Sequence, residues 1–225
     1  GPWGSRGNSG IINSTAFDPR EPSLAEIAAI DPDYQDSFAE YNDAAIVVVG
    51  RPAGEGVDYM PGGVAEGTGA SEPLELTTDE RDIINLATEK FDKVIVLVNT
   101  SSPMEIDELK ENDKVDSILW IGHPGNYGAL GIADILCGKV SPSGGLYDIY
   151  AAKNMSHPAM MNMGDYTFAN PESDFTRSNG NKYIMESESI YVGYRYYETR
   201  YNDIIEGRGN ADSAAGAVAS SGNWN

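Results

Sequence analysis

The sequence is poor in the residues that build disulfide frameworks and metal centres. Its 225 residues include one cysteine, Cys137, and two histidines, His123 and His157. A single cysteine excludes an intrachain disulfide framework and a multi-cysteine metal cluster. Two histidines argue against a zinc site built on imidazole ligands. We therefore predict no metal site.

Basic residues and long apolar runs are also scarce. Lys and Arg total 15 against 35 Asp and Glu, a formal net charge of −20. Because so acidic a surface repels a phosphate backbone, we expect no nucleic-acid partner. No apolar run approaches the roughly 18 residues that span a bilayer, so no membrane segment is predicted. Residues 1–5 lack the basic start and apolar stretch of a signal peptide, and the sequence leaves open whether the protein is secreted, cell-associated or cytoplasmic.

Apolar runs and helical patterns alternate regularly between residues 24 and 150. Three continuous, β-branched runs cover residues 45–49, 93–98 and 115–121. Such runs are typical of strands that are buried on both faces of a parallel sheet. With a helical pattern after each run, the order predicts an α/β fold: a mostly parallel, doubly wound sheet flanked by helices, or α/β sandwich.

Local signals predict where these helices begin and end. Thr77 and Glu80 form a capping box, in which each side chain accepts a hydrogen bond from the other's backbone N–H. A second helix is predicted to begin at Pro103, because proline is well tolerated at the first helical position. A third covers residues 127–137 and is expected to end at Gly138.

Composition divides the chain into three ranges. Residues 1–40 are predicted to be a linker or lead-in, residues 41–200 the α/β-sandwich domain, and residues 201–225 a loop or tail leading to a missing segment. Within the domain, a loop without helix or strand signal runs from Gly50 to about Leu76. Loops of this length in a compact domain are often functional.

One carboxylate of this loop is a candidate general acid. Glu55 follows the first strand closely and lies between Gly54 and Gly56, which leave its carboxylate unshielded by neighbouring side chains. The alternative is that Glu55 is one of many surface acids. Three other acids of the loop, Asp58, Glu66 and Glu72, are the next candidates.

Four segments together resemble the C-terminal α/β-sandwich domain of glycoside hydrolase family 3, the β-glucosidase and β-xylosidase family. The likeness covers roughly residues 40–200, and the order and spacing of the segments agree with the family pattern. The segments are the run 45–50 followed by Gly54-Glu55-Gly56-Val57-Asp58; the run 94–99 followed by Ser102-Pro103; residues 124–144, which include Ala133-Asp134-Ile135-Leu136 and Pro142-Ser143-Gly144; and the Tyr-rich segment Ile190–Tyr197.

The resemblance implies a part in a larger multidomain enzyme, a retaining β-glycosidase for which β-glucosidase activity is the first expectation. A separate (β/α)8 barrel is then the partner that carries the Asp nucleophile, and a β-glucoside or related oligosaccharide is the substrate. Glu55 occupies the position of the family's acid/base, while Asp58 and Tyr59 are expected to line the leaving-group side. Such a reaction needs no metal or organic cofactor. The alternative is a non-catalytic α/β module with a structural or sugar-binding role.

Overall fold

The computed structural model describes residues 21–52, 59–163, 166–168, 182–183 and 185–208. The chain divides into two compact units, residues 1–147 and 148–225, which are described separately below. Within the described ranges, no helix combines the length and the apolar character needed to cross a membrane.

The first unit is built on a three-stranded parallel sheet. Strands β1 (Ala45–Gly50), β2 (Val94–Asn99) and β3 (Ser117–Trp120) lie side by side in the order β1-β2-β3. In the register of the sheet, Val47 pairs with Val96 and Val96 with Ile118. The predicted parallel, adjacent arrangement is confirmed, with a third strand that is shorter than its apolar run.

In the described part of the first unit, four helices accompany this sheet: α1 (Leu24–Ile30), α2 (Thr78–Lys90), α3 (Asp107–Lys110) and α4 (Gly125–Leu136). Helix α2 begins with the predicted capping box, since the Thr77 hydroxyl accepts from the Glu80 N–H at 3.2 Å. Helix α1 and a 3-10 turn at Asp36–Ala39 lie in the range that the sequence predicted as lead-in. The domain limits at residues 41 and 200 stay predictions.

Helix α3 begins four residues later than the predicted start at Pro103. The reason is a tertiary contact in residues 103–106. Met104 is completely buried, and the backbone N–H of Glu105 donates to the Leu74 carbonyl at 2.9 Å. This stretch therefore packs against the loop after β1, and the contact outweighs the local preference for helix.

One face of the sheet carries the hydrophobic core of the unit. Alternate residues of a strand point to opposite faces; on the other face of β1, the side chains of Ile46 and Val48 remain 50% and 49% exposed. The prediction of burial on both faces is thus wrong for β1, which is an edge strand. The buried core residues are Val47, Val49, Val94, Val96 and Val98 of the sheet, with Leu74, Leu76, Ile84, Ala87, Met104 and Leu109 around it.

The described residues of the second unit form short elements and one longer helix. A 3-10 turn at Asn154–Ser156 leads into α5 (Pro158–Met161), and β4 (Tyr166–Thr167) pairs antiparallel with β5 (Lys182–Tyr183). Helix α6 (Tyr194–Glu206) extends into the range predicted as tail and ends at Gly207, whose φ of 62° is left-handed. Glycine adopts that conformation without strain, which suits it to end a helix.

His157 is a buried histidine in this unit. Its Nδ1 accepts a hydrogen bond from the Ala159 N–H at 3.1 Å and so caps α5. Its ring packs edge-on against Tyr196, with 4.9 Å between the ring centroids. Burial lowers the pKa of His157, and the negative charge of Glu188 opposes this with a smaller effect.

We expect the stability of the chain to fall as the pH drops below about 6.5, the ordinary pKa of histidine. The unfolded chain then binds a proton at His157 more readily than the folded chain, so protonation favours unfolding. Above this pH both states are neutral, and His157 adds no pH dependence. His157→Asn keeps an acceptor that can cap α5 but cannot titrate. Its melting temperature should fall less than that of the parent between pH 7.5 and 5.5.

The matched control for this measurement is His123→Asn, because His123 is exposed. That variant should keep the pH dependence of the parent chain. Equal losses of melting temperature in His157→Asn and the parent would show that His157 is not the titrating group.

Candidate active site

The loop after β1 begins at the carboxyl edge of the sheet, where parallel strands commonly present ligand-binding groups. The Arg51 N–H donates to the Asn99 carbonyl at 3.2 Å, so β1 and β2 remain joined one residue beyond the end of β1. A Cβ at Gly50 would lie only 2.9 Å from that same carbonyl oxygen. Glycine therefore allows the close approach of the two strands at the point where the loop begins.

Arg51 is the most completely bonded side chain at this edge. It is 1% exposed, and all five of its N–H groups donate hydrogen bonds. Three of the acceptors are backbone carbonyls from two places in the chain. They are Pro73 O at 2.8 Å from Nε, Gly50 O at 2.7 Å from Nη1, and Glu75 O at 2.5 Å from Nη2.

The other two donors of Arg51 form a bidentate ion pair with Glu80. The distances are 2.6 Å from Nη1 to Oε1 and 2.9 Å from Nη2 to Oε2, and both side chains are fully buried. Glu80 Oε2 also accepts from the Thr77 N–H at 2.8 Å, which completes the capping box. Buried charges are tolerated when they are paired and hydrogen-bonded in this way. The pair thus joins the end of β1 to the first turn of α2.

Tyr59 forms a second link at the base of the loop. Its hydroxyl donates to the Pro52 carbonyl, and its ring packs against the hydrophobic core. Burial raises the pKa of Tyr59, although the positive charge of Arg51 acts in the opposite direction. The phenol therefore remains protonated at neutral pH and keeps its proton for this hydrogen bond.

Of the three predicted site residues, the structure describes Tyr59. Glu55 and Asp58 lie outside the described residues, and the roles of all three stay predictions. Among the other acids of the loop, Glu66 is exposed, and Glu72 accepts a hydrogen bond from the Gly62 N–H at 2.7 Å. Across the described ranges, no group of three or more His, Cys, Asp or Glu side chains is placed to hold a metal ion.

An aromatic pair, Trp120 and Tyr147, is hydrogen-bonded to the loop after β2, and sequence reasoning did not assign it to the site. Trp120 Nε1 donates to the Thr100 carbonyl, and the Tyr147 hydroxyl donates to the Ser101 carbonyl, both at 2.7 Å. The two rings meet edge to face with their centroids 5.1 Å apart. They hold the loop after β2 at the same edge of the sheet as Arg51. The position of Trp120 near the end of the third apolar run was the available signal for it.

Sequence reasoning also gave Arg51 no role, although its position was informative. An arginine directly after a buried strand must either reach solvent or find a buried acceptor. The capping-box glutamate, Glu80, is that acceptor, but it lies 29 residues further along the chain.

A model of the glycosyl hydrolase family 3 C-terminal domain matches residues 13–194 of this chain. The chain belongs to glycoside hydrolase family 3. The predicted resemblance is therefore confirmed, and the match extends across most of the chain.

Individual members of family 3 agree with this assignment. The chain is 32% identical over 192 residues to beta-glucosidase A of Butyrivibrio fibrisolvens, covering 79% of this chain and 21% of that protein. It is 30% identical over 185 residues to a beta-glucosidase of Ruminococcus albus, covering 82% and 17%. The structure of a beta-glucosidase from Paenibacillus barengoltzii matches with a TM-score of 0.55 and 28% identity, covering 81% and 17%. The family 3 domain thus spans about a fifth of the length of these relatives, and the predicted α/β fold is confirmed.

Proposed function

We propose that this family 3 domain is part of a retaining β-glycosidase, most simply a β-glucosidase, which hydrolyses terminal β-glycosidic bonds. The observation that carries this proposal is the family match over residues 13–194. Two relatives at 30% identity or more bear the name beta-glucosidase, which supports a β-glucoside as the substrate. Because the chain corresponds to about a fifth of those proteins, the complete reaction requires groups from elsewhere in the full-length protein.

In the proposed reaction, two carboxyl groups divide the chemistry. An Asp carboxylate from a (β/α)8 barrel attacks the anomeric carbon, while Glu55 gives a proton to the departing oxygen. Glu55 then takes a proton from the water that hydrolyses the glycosyl-enzyme. Asp58 and Tyr59 line the leaving-group side. Proton transfer and covalent catalysis account for both steps, so the proposal includes no cofactor.

The described surroundings of residues 53–58 support the role of Glu55. The segment begins next to the end of β1, at the edge where parallel sheets present functional groups. Pro52 and Tyr59 flank it and are hydrogen-bonded to each other. Arg51 anchors its preceding end through buried hydrogen bonds. A general acid must be held in place relative to the oxygen that it protonates, and this frame provides fixed ends.

Residues 1–225 alone are expected to be inert toward aryl β-glucosides, whereas the full-length protein hydrolyses them. The reason is that a retaining mechanism needs two carboxyl groups on opposite sides of the scissile bond, and the proposed nucleophile belongs to the barrel. The measurement is release of 4-nitrophenol from 4-nitrophenyl β-glucoside by each purified protein at equal molar concentration.

Turnover by the purified 225-residue chain would contradict this division of labour. A full-length protein that contains a barrel yet is inert on β-glucosides and β-xylosides would instead favour the non-catalytic α/β module. The control for intact folding is a cooperative thermal transition of the 225-residue chain.

A further inference from the structure

We propose that Arg51 is a positioning residue, whose buried hydrogen bonds hold the loop after β1 in the geometry that acid/base catalysis requires. This inference rests on the proposed function, in which Glu55 of the same loop transfers the proton. All five N–H donors of Arg51 are taken by acceptors within the protein, so its effect on the reaction passes through the loop.

The first reason is the number of chain segments that Arg51 brings together. Its guanidinium group donates to Gly50 at the end of β1, to Pro73 and Glu75 at the far end of the loop, and to Glu80 in α2. The two ends of the loop and the helix that follows are therefore fixed to one planar group.

The second reason is the rigidity of this connection. A guanidinium group presents its five N–H donors in a fixed plane, so occupied donors restrict the group in every in-plane direction. Arg51 is 1% exposed and Glu80 is 1% exposed, which keeps water from competing for these hydrogen bonds. The loop's near end is held as well, by the bond from the Tyr59 hydroxyl to the Pro52 carbonyl.

The third reason is that stability by itself does not explain a buried ion pair, because burying the two charges costs solvation free energy. Well-packed apolar residues often replace a buried ion pair with no loss of stability. What apolar side chains cannot replace is the directed bonding to the carbonyls of Pro73 and Glu75. The arrangement therefore favours geometry as the role of this pair.

Arg51→Lys in the full-length protein separates positioning from charge. Lysine keeps the positive charge beside Glu80 but has three donors on one nitrogen and cannot reproduce the planar fork. Loss of alignment at a reacting group can cost up to about 10²-fold in rate. We expect kcat/KM for an alkyl β-glucoside to fall by about 10- to 100-fold. The value for 2,4-dinitrophenyl β-glucoside should fall less, because that leaving group needs little protonation.

The experiment compares Arg51→Lys with Glu55→Gln and with Arg81→Lys on both substrates, with and without azide. Arg81 forms an exposed ion pair with Glu108, at 2.8 Å, and is the matched control; its variant should behave as the parent enzyme. Azide should accelerate turnover of dinitrophenyl glucoside by Arg51→Lys, as it should for Glu55→Gln. In both variants the general base activates water poorly for hydrolysis of the glycosyl-enzyme, and azide needs no such activation. Glu80→Gln provides a second test if Arg51→Lys does not fold.

Each result bears on one of the two proposals. If both Arg51→Lys and Glu55→Gln discriminate against the poor leaving group, the positioning role is supported. If only Glu55→Gln does so, or if Arg51→Lys slows both substrates equally without a response to azide, the positioning role is overturned and the proposed function stands. If only Arg51→Lys does so, the loop is positioned for another acid, and it is the assignment of Glu55 that fails.

Discussion

Replacing Glu55 by glutamine in the full-length protein is expected to slow the hydrolysis of alkyl β-glucosides by about 10²–10⁴-fold. Glutamine keeps the size of the side chain but has no proton of suitable acidity to give to the departing oxygen. An alkoxide is a poor leaving group, so the first step depends strongly on that proton. The measurement is kcat/KM for methyl or octyl β-glucoside, compared with the parent enzyme.

The same variant should respond differently to a good leaving group. Dinitrophenolate departs with little protonation, so the first step on dinitrophenyl β-glucoside should be slowed less, and the glycosyl-enzyme should accumulate. Azide needs no general base, and its addition should restore turnover with formation of the glycosyl azide. Glu89→Gln is the control, because the Glu89 side chain is exposed and lies outside the loop, in α2.

Near-parent hydrolysis of alkyl glucosides by Glu55→Gln would remove Glu55 from the mechanism. The three other candidate acids of the loop, Asp58, Glu66 and Glu72, would then be replaced in turn. Glu72 already accepts a hydrogen bond from the Gly62 N–H, so its replacement also tests whether the loop depends on that contact.

Arg51→Met in the 225-residue chain is expected to lower the free energy of unfolding by about 3–5 kcal/mol. The variant leaves Glu80 charged and buried with the loss of both of its guanidinium contacts, and it leaves three carbonyls without the donor they have in the parent. The double variant Arg51→Met/Glu80→Met should lose less than the sum of the two single variants, because no charge stays buried alone. Urea unfolding of the four proteins gives this cycle.

The exposed pair Arg81–Glu108 is the matched control for this cycle. It joins the same two residue types with bidentate geometry, at 2.8 Å from Nε to Oε2 and 2.8 Å from Nη2 to Oε1, but its side chains are 36% and 44% exposed. Exposed ion pairs contribute roughly 0–1 kcal/mol, since water and salt screen them. If Arg51→Met proved as stable as Arg81→Met, the buried pair would not contribute the expected amount of about 3–5 kcal/mol to the free energy of unfolding.

The core of the fold could be predicted from local patterns. Residues 45–49 and 94–98 are apolar at successive positions, which is typical of strands in a parallel sheet, and both runs form strands of that sheet. The capping box at Thr77 and Glu80 was predictable because its two hydrogen bonds are made within four residues. The family motifs were likewise contiguous in sequence, and the family match confirms the membership that they indicated.

Other features depended on contacts between distant parts of the chain. Residues 103–106 do not form the predicted helix, because Met104 is buried and the Glu105 N–H is bonded to the Leu74 carbonyl some thirty positions earlier. Ile46 is half exposed because β1 lies at the edge of the sheet. The sequence of β1 alone does not indicate which strand takes that edge position.

The sequence by itself determined the parallel strands, the start of α2, the acidic character and the membership of family 3, because periodicity, capping and motif are all properties of neighbouring residues. Only the tertiary structure decided what Arg51 does. Its partners come from residues 50, 73, 75 and 80, and a buried guanidinium group can be satisfied only after the strand, the loop and the helix have packed together. Glu80 shows both levels at once: its bond to the Thr77 N–H is local, and its ion pair with Arg51 exists only in the folded chain.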